Sequence, residues 1–212
     1  MREIVIIGAG GLGREVAWLI EDINKNGAAW TILGFVDDDA STHGRVINGY
    51  PVLGGIDWLR DKQLNVTLAI GNPLARKTVL AKLEGSHNTY PVLVHPTSVV
   101  APSAMLCEGV VICAGCIVSV DATLHSHVFV NLSCTIGHDD VIEKCCVINP
   151  GVNLSGHVRL EACVNVGTGA AIIQGIAVGA RTTIGAGAVV VRDLPPDCTA
   201  VGAPARPIKF RS

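Results

Sequence analysis

A histidine followed directly by an aspartate can act as a general base, because the carboxylate orients the imidazole and stabilises its protonated form. The sequence contains one such pair, His138-Asp139, and eighteen residues further on stand Gly156 and His157. Residue types alone leave two readings of this group: exposed turn residues, or a catalytic base beside the space a glycine leaves open. A second candidate site lies near the N-terminus. There Gly8-Ala9-Gly10-Gly11-Leu12-Gly13 follows a strand-like run over residues 3–7 and precedes a helical pattern over residues 14–20. Glycines let the backbone approach a phosphate, and the free N–H groups of a helix start favour an anion. A strand over residues 31–36 then ends in Asp37-Asp38, where acids can bind ribose hydroxyls. The competing readings here are a tight βα turn without a ligand and a solvated strand end.

The other reactive residues carry less. His125 and His127, joined by His138 or His157 of a neighbouring chain, would be the ligands of a metal held between subunits. No spacing fixes that geometry, and no metal is expected. His43, His87 and His95 stand in loop-like contexts and read as surface residues. Eight cysteines in a chain of this length, with no signal-peptide core after Met1, read as reduced thiols of a cytoplasmic protein. Behind the C-terminal prolines, Arg206, Lys209 and Arg211 form a basic cluster, either a solvated tail or an anion site.

The elements that must position these groups differ between two halves of the chain. Residues 1–94 hold six of the eight aromatics, whereas residues 95–195 hold only Phe129. The first half reads as a small α/β unit, with strands over residues 3–7, 31–36 and 66–70, and a fourth over 90–94. In the second half every sixth residue from Val100 through Val190 is Val, Ile or Leu, at all sixteen positions. Four residues after each, Ala, Val, Cys or Thr fills 13 of 16 places, the exceptions being Asp140, Ile176 and Leu194. No helical period explains this pattern, and a hexapeptide parallel β-helix does. Three units complete a triangular coil, so sixteen units make about five coils. The narrow bore takes aliphatic and small side chains and excludes rings, and Cys116, Cys134 and Cys146 fall on its small inner position. Residues eighteen apart stack, which sets Gly156 over His138 and His157 over Asp139 at an outward corner.

Composition excludes several function classes. Sixteen basic against 18 acidic side chains lack the footprint of a nucleic-acid or anionic-membrane binder. A mean hydropathy of +0.46 argues against disorder. The uncharged stretch over residues 162–180 lies inside the repeat, which argues against a membrane span.

Together these residues resemble the sugar O-acyltransferase family that includes sialic acid O-acetyltransferases and the N-acetyltransferases of UDP-4-amino-sugars. The resemblance rests on Gly8 to Gly13, Phe35-Val36-Asp37-Asp38, Ala69-Ile70-Gly71-Asn72 and His95-Pro96. It continues through Asn131 to His138-Asp139, the sixteen hexads, and Gly202-Ala203-Pro204-Ala205-Arg206. It implies a Rossmann-like nucleotide-sugar-binding domain over residues 1–94, then a left-handed β-helix acetyltransferase domain with a C-terminal tail over residues 95–212. The implied activity is transfer of an acetyl group from acetyl-CoA to an amino group of a UDP-type amino-sugar. O-acetylation of a sugar hydroxyl such as that of sialic acid is the alternative, and a non-catalytic nucleotide-binding trimeric scaffold is a further one. By the resemblance, Gly10, Gly11, Leu12, Asp37, Asp38 and Gly71 would hold the nucleotide-sugar. His138 would be the base, Asp139 would raise its basicity, and Asn131 would lie close to the acceptor. Acetyl-CoA would run between adjacent prisms of a homotrimer, near Gly156, Gly167, Thr168 and Ala186, with its phosphates towards Arg206. The active sites would thus lie between subunits, with no metal, nucleic acid or membrane insertion. The chain departs from the family pattern twice. Leu12 stands where members often carry a histidine, and Val147 where some relatives place a second histidine near acetyl-CoA.

Overall fold

The computed structural model describes residues 2–27 and 30–211. Its N-terminal part is built on three parallel strands, β1 (Arg2–Ile7), β2 (Trp30–Val36) and β5 (Asn65–Leu68), in the order β2-β1-β5. The central place of β1 explains its unbroken apolar run, since Ile4, Val5, Ile6 and Ile7 are all buried. Helix α1 (Gly11–Lys25) turns Val16, Ala17, Leu19 and Ile20 inwards. Between β2 and β5 the chain makes a small antiparallel pair, β3 (Val46–Ile47) and β4 (Tyr50–Pro51). Helix α2 (Pro73–Lys82) follows β5. Its start is set by Asn72, whose side chain accepts from the Leu74 and Ala75 N–H groups, and by Pro73 in the first turn.

The fourth strand expected over residues 90–94 does not join this sheet. Pro91 has no N–H to give a ladder, and only β6 (Leu93–Val94) is extended. It pairs with Val111 and Ile112 of the second half.

From β6 onward the chain winds as a parallel solenoid. Sixteen two-residue strands follow, from β7 (Val99–Val100) to β22 (Val189–Val190). Strands eighteen residues apart pair in register, as Phe129 with Val147 and Val130 with Ile148. Val94 begins the aliphatic series one unit before Val100, which brings the solenoid to about six coils. The bore holds Val, Ile, Leu, Ala and Cys and no ring. At the corners the backbone takes a left-handed turn at Asp121, His127, Ser133, Asp139, Cys145, His157 and Cys163, among others. This conformation is uncommon outside glycine, and here it recurs with the six-residue period. At Asp139 and His157 it leaves the side chains about half exposed.

The two parts share a core. Phe129, Val111 and Val147 on the outer surface of the solenoid pack in one cluster with Leu19, Ile20, Phe35 and Leu93. Arg76 of α2 is fully buried there. Its Nη1 donates to the carbonyls of Leu68 and Ile70, and its Nη2 to that of His127 at 2.9 Å. The guanidinium lies 5.5 Å from the centre of the Phe129 ring.

Prolines 195 and 196 break the hexad but do not end the sheet. Strand β23 (Cys198–Val201) pairs parallel with Thr183 and Ala200 meets Ile184, and β24 (Arg206–Phe210) folds back antiparallel on β23. The basic C-terminal segment is therefore a sheet strand rather than a free tail. No helix among the described residues is long and apolar enough to cross a membrane.

Candidate active site

The pair at His138 and Asp139 lies on the corner between β13 (Thr135–Ile136) and β14 (Val141–Ile142). His138 Nδ1 and Asp139 Oδ2 are 2.8 Å apart. A carboxylate can only accept, so Nδ1 carries a proton, and in the neutral imidazole the lone pair falls to Nε2. Asp139 also lies 3.7 Å from His157 Nε2, and the two imidazole rings meet edge to face at 5.0 Å. One carboxylate oxygen is thus hydrogen-bonded to His138 and faces His157 on the next coil from beyond hydrogen-bond distance. All three side chains are about half exposed. They also form the one group among the described residues in which three metal-capable side chains lie within 4.8 Å of one another.

Gly156 decides what surrounds His138. A Cβ at this position would collide with His138 Nε2, so only a glycine leaves room for the His138 ring, which itself fills the space expected to stay open. Gly137 is pressed against the same turn from below, where a Cβ would lie 2.6 Å from the Gly156 nitrogen. Beneath the corner sits Asp140, which is completely buried. Its carboxylate accepts from the Gly137 and Val158 N–H groups, each at 2.8 Å. Burial pushes its carboxyl up to about 6, against the pull of those two hydrogen bonds. Sequence reasoning had noted Asp140 only as an exception in the inner series.

At the N-terminal site the glycines divide by role. A Cβ at Gly13 would collide with the Gly8 carbonyl, so Gly13 serves helix–strand packing. Gly10 has no heavy atom within 4 Å of a Cβ position, and Gly11 has only the tip of Arg14. Leu12 reaches towards Gly71, 3.9 Å from where a Cβ would stand. Asp37 closes the loop, with Oδ2 accepting from the Ala9 N–H at 2.8 Å and Oδ1 from the Asp39 N–H. Asp38 accepts from the Ile56 N–H and pairs with Lys82 at 2.7 Å, which holds its carboxyl below the usual range. A cavity of about 200 Å³ opens at the ends of β1 and β2, lined by Gly8, Val36, Asp37, Asp38 and Ile56 among others. Gly10, Gly11, Leu12, Asp37, Asp38 and Gly71 therefore cluster at one sheet end.

The remaining expected residues are dispersed over the solenoid. Asn131 is buried, and its side-chain oxygen accepts from the Leu132 N–H at 2.8 Å. It lies before β13 and His138 after it, so a single chain sets them at opposite ends of that strand. Gly167 and Ala186 stack on successive coils at the same corner as Asn131, with Thr168 beside them and Gly156 one corner away. Arg206 is exposed on β24.

Two readings of single residues need correction, those of His95 and His127. His95 is buried rather than on the surface, held between Asp22 at 3.1 Å and Thr97 at 2.9 Å. His127 is buried against the Tyr90 ring, and neither it nor His125 belongs to the metal-capable group found among the described residues. Burial and the Arg76 cation push His127 down to about 4. Val147 is buried in the core between the two parts and offers nothing to a ligand. The cysteines of the bore are buried, and Cys116, Cys134 and Cys146 each donate to a backbone carbonyl. A larger cavity of about 300 Å³, between α2 and the corner carrying Cys145 and Cys163, contains none of the expected site residues.

The comparisons with known proteins agree with this architecture. The PglD N-terminal domain family matches residues 3–83. No curated protein matches. The acetyltransferase domain of PglB from Neisseria gonorrhoeae FA1090, in complex with acetyl coenzyme A, is 36% identical with a TM-score of 0.88, over 98% of this chain and 99% of that one. A histidine-to-asparagine mutant of perosamine N-acetyltransferase from Caulobacter crescentus, in complex with CoA and GDP-perosamine, is 32% identical with a TM-score of 0.88. That match covers 99% of this chain and 98% of that one. WeeI from Acinetobacter baumannii AYE is 27% identical with a TM-score of 0.86, over 98% of this chain and 100% of that one.

Proposed function

The chain belongs to the hexapeptide-repeat sugar N-acetyltransferases that include the PglB acetyltransferase domain and perosamine N-acetyltransferase, and on that basis we propose that it acetylates the amino group of a nucleotide-linked sugar. Acetyl-CoA is the donor. An amine acceptor is favoured over a hydroxyl because the full-length matches with a stated reaction are N-acetyltransferases. The observation that carries the reading is the half-exposed His138 imidazole, with Nδ1 held by Asp139 and the ring seated against Gly156.

In this reading the sugar amine attacks the thioester carbonyl while His138 Nε2 takes its proton. The new C–N bond forms and the C–S bond breaks. The imidazolium then returns the proton to the leaving thiolate, giving free CoA. Charge developing on the carbonyl oxygen is met by a backbone N–H of the Gly156 turn. Asp139 stabilises the transient imidazolium. No covalent acyl-enzyme is required.

The loop at Gly10, Gly11 and Leu12, with Asp37, Asp38 and Gly71, is the proposed seat of the nucleotide-sugar. Gly156, Gly167, Thr168, Ala186 and Arg206 are the proposed path of acetyl-CoA. Since one chain separates Asn131 and Gly167 from His138 by a strand, the site is best completed by a second copy. A homotrimer packed through the six-stranded face, where Val99 and Ile117 are 63% and 50% exposed, supplies it.

The test is release of free CoA thiol with a panel of UDP- and GDP-linked amino-sugars. His138→Asn should keep its fold and acetyl-CoA binding and lose about 10²- to 10⁴-fold in kcat. Turnover near that of the native chain, in a folded oligomer, rejects His138 as the base.

A further inference from the structure

The ladder of the solenoid is broken at one place. Along β7 to β22, paired strands match two residues with two, as Ile117 and Val118 with Thr135 and Ile136, or Asn153 and Leu154 with Ala171 and Ile172. Between β13 and β16 (Asn153–Leu154) only Thr135 and Asn153 are matched. One coil earlier on this face Ser119 donates its N–H to Ile136, and one coil later Ser155 donates to Ile172. Gly137 stands in the same place and departs from the pattern. Its N–H goes to Asp140 Oδ2. The other carboxylate oxygen takes the Val158 N–H, which by the pattern of Ala104 and Ala170 would close its own turn onto a carbonyl three residues back.

Both diverted N–H groups flank the candidate base and its partner. Gly137 immediately precedes His138, and Val158 immediately follows His157. Asp140 is also the one charged residue in the inner series that otherwise holds Ala122 below it and Val158 above it on the same corner. A buried carboxylate in an aliphatic bore costs stability unless it is well bonded. Here it is bonded to two turns at once, and those turns carry the histidines that face Asp139.

We infer that Asp140 is a positioning residue for acetyl transfer, tying the His138 and His157 turns from inside the bore so that the imidazole of the base stays seated against Gly156. It touches neither substrate nor cofactor, and it acts through the backbone of both turns. Its charge also lies under the imidazole that becomes cationic as the amine is deprotonated. This inference rests on the reading of His138 as the base.

The experiment compares Asp140→Val, Asp140→Asn and His138→Asn in the full-length protein. Valine is the solenoid's own choice one coil later, at Val158, so Asp140→Val should keep the oligomer and match or exceed the native melting temperature. Its kcat should fall about 10- to 100-fold, while KM for acetyl-CoA and for the amino-sugar changes by less than about threefold. Asp140→Asn keeps one acceptor oxygen and should recover part of that loss. A folded Asp140→Val with kcat within about twofold of native overturns the inference. Where Asp140→Val does not fold, a native kcat in Asp140→Asn overturns it. His138→Asn separates the two readings. If it loses turnover while the Asp140 variants keep theirs, only the positioning role falls. If it keeps turnover, the base assignment falls and this inference with it.

Discussion

The proposed base is oriented by a single acceptor, and that makes its chemistry testable one atom at a time. Asp139→Asn replaces an acceptor-only group with one that can present N–H to Nδ1, which disfavours the tautomer that leaves Nε2 free. Turnover should fall about 100-fold with KM little changed, read by steady-state CoA release. A native kcat would show that the carboxylate is not needed. Beneath it, Asp140 ionises at about 6 instead of 3.8, because burial penalises its charge. A raised carboxyl value means that folding favours the neutral acid. The stability it contributes is therefore complete below pH 3.8 and is lost as pH rises through about 6. The loss amounts to about 3 kcal/mol. Urea unfolding of the native chain and of Asp140→Asn should accordingly shift by that amount in favour of the variant between pH 4 and 7.5. Parallel curves would contradict it. At this scale the His138–Asp139–His157 group was legible in the sequence, because stacking every eighteen residues is a counting argument. Asp140 was not, since the same count puts it in the bore, where an acid looks like a flaw until its two N–H partners are known. His95 was misread for the opposite reason, as nothing in its loop context reveals that Asp22 on α1 reaches it.

Corners and turns determine which of these side chains can meet. Gly156 and Gly137 let two coils close on each other at the base, and the cost of a methyl there depends on what it strikes. At Gly156 it strikes the far end of the half-exposed His138 side chain, which can swing aside at little cost in stability. Gly156→Ala should therefore change unfolding free energy by less than about 1 kcal/mol while moving the base. Misplacement of about 1 Å costs about 100-fold in rate. Circular dichroism melts and kcat measured on the same sample check both halves, and an active Gly156→Ala would deny that the ring must sit against Gly156 to act as the base. The elements themselves were read unequally. Two-residue strands with a strict six-residue period announce themselves, because every aliphatic position must face the bore. Residues 90–94 have the composition of a strand, but Pro91 and the distant pairing of Leu93 with Val111 carry them to the other sheet. Helix α2 had a readable start in Asn72-Pro73. Its buried side holds Arg76, and a cation buried against carbonyls does not register as an apolar stripe.

In the proposed function one chain supplies the base and the seat of the nucleotide-sugar, and a second copy completes the site. The N-terminal part covers one surface of the prism through Phe129, Val147 and Arg76, leaving the six-stranded surface open with Val99 and Ile117 exposed. Asn131 and His138 flank that open surface on either edge, so a copy packed against it would bring the corner with Gly167 and Ala186 of one chain to the His138 corner of another. Charge on this surface should therefore act on assembly and activity together, and not on the fold. Ile117→Lys places an ammonium where the side chain is already half in water, which a single chain tolerates. Between copies the same ammonium would be desolvated without a partner, at a cost of several kcal/mol. Sedimentation should show the variant as a monomer with native circular dichroism, and CoA release should fall to background while acetyl-CoA remains intact. A persistent trimer would move the interface elsewhere on the prism. A fully active monomer would mean that Asn131 and the Gly167 corner take no part in catalysis, and that the corner at His138 works within a single chain.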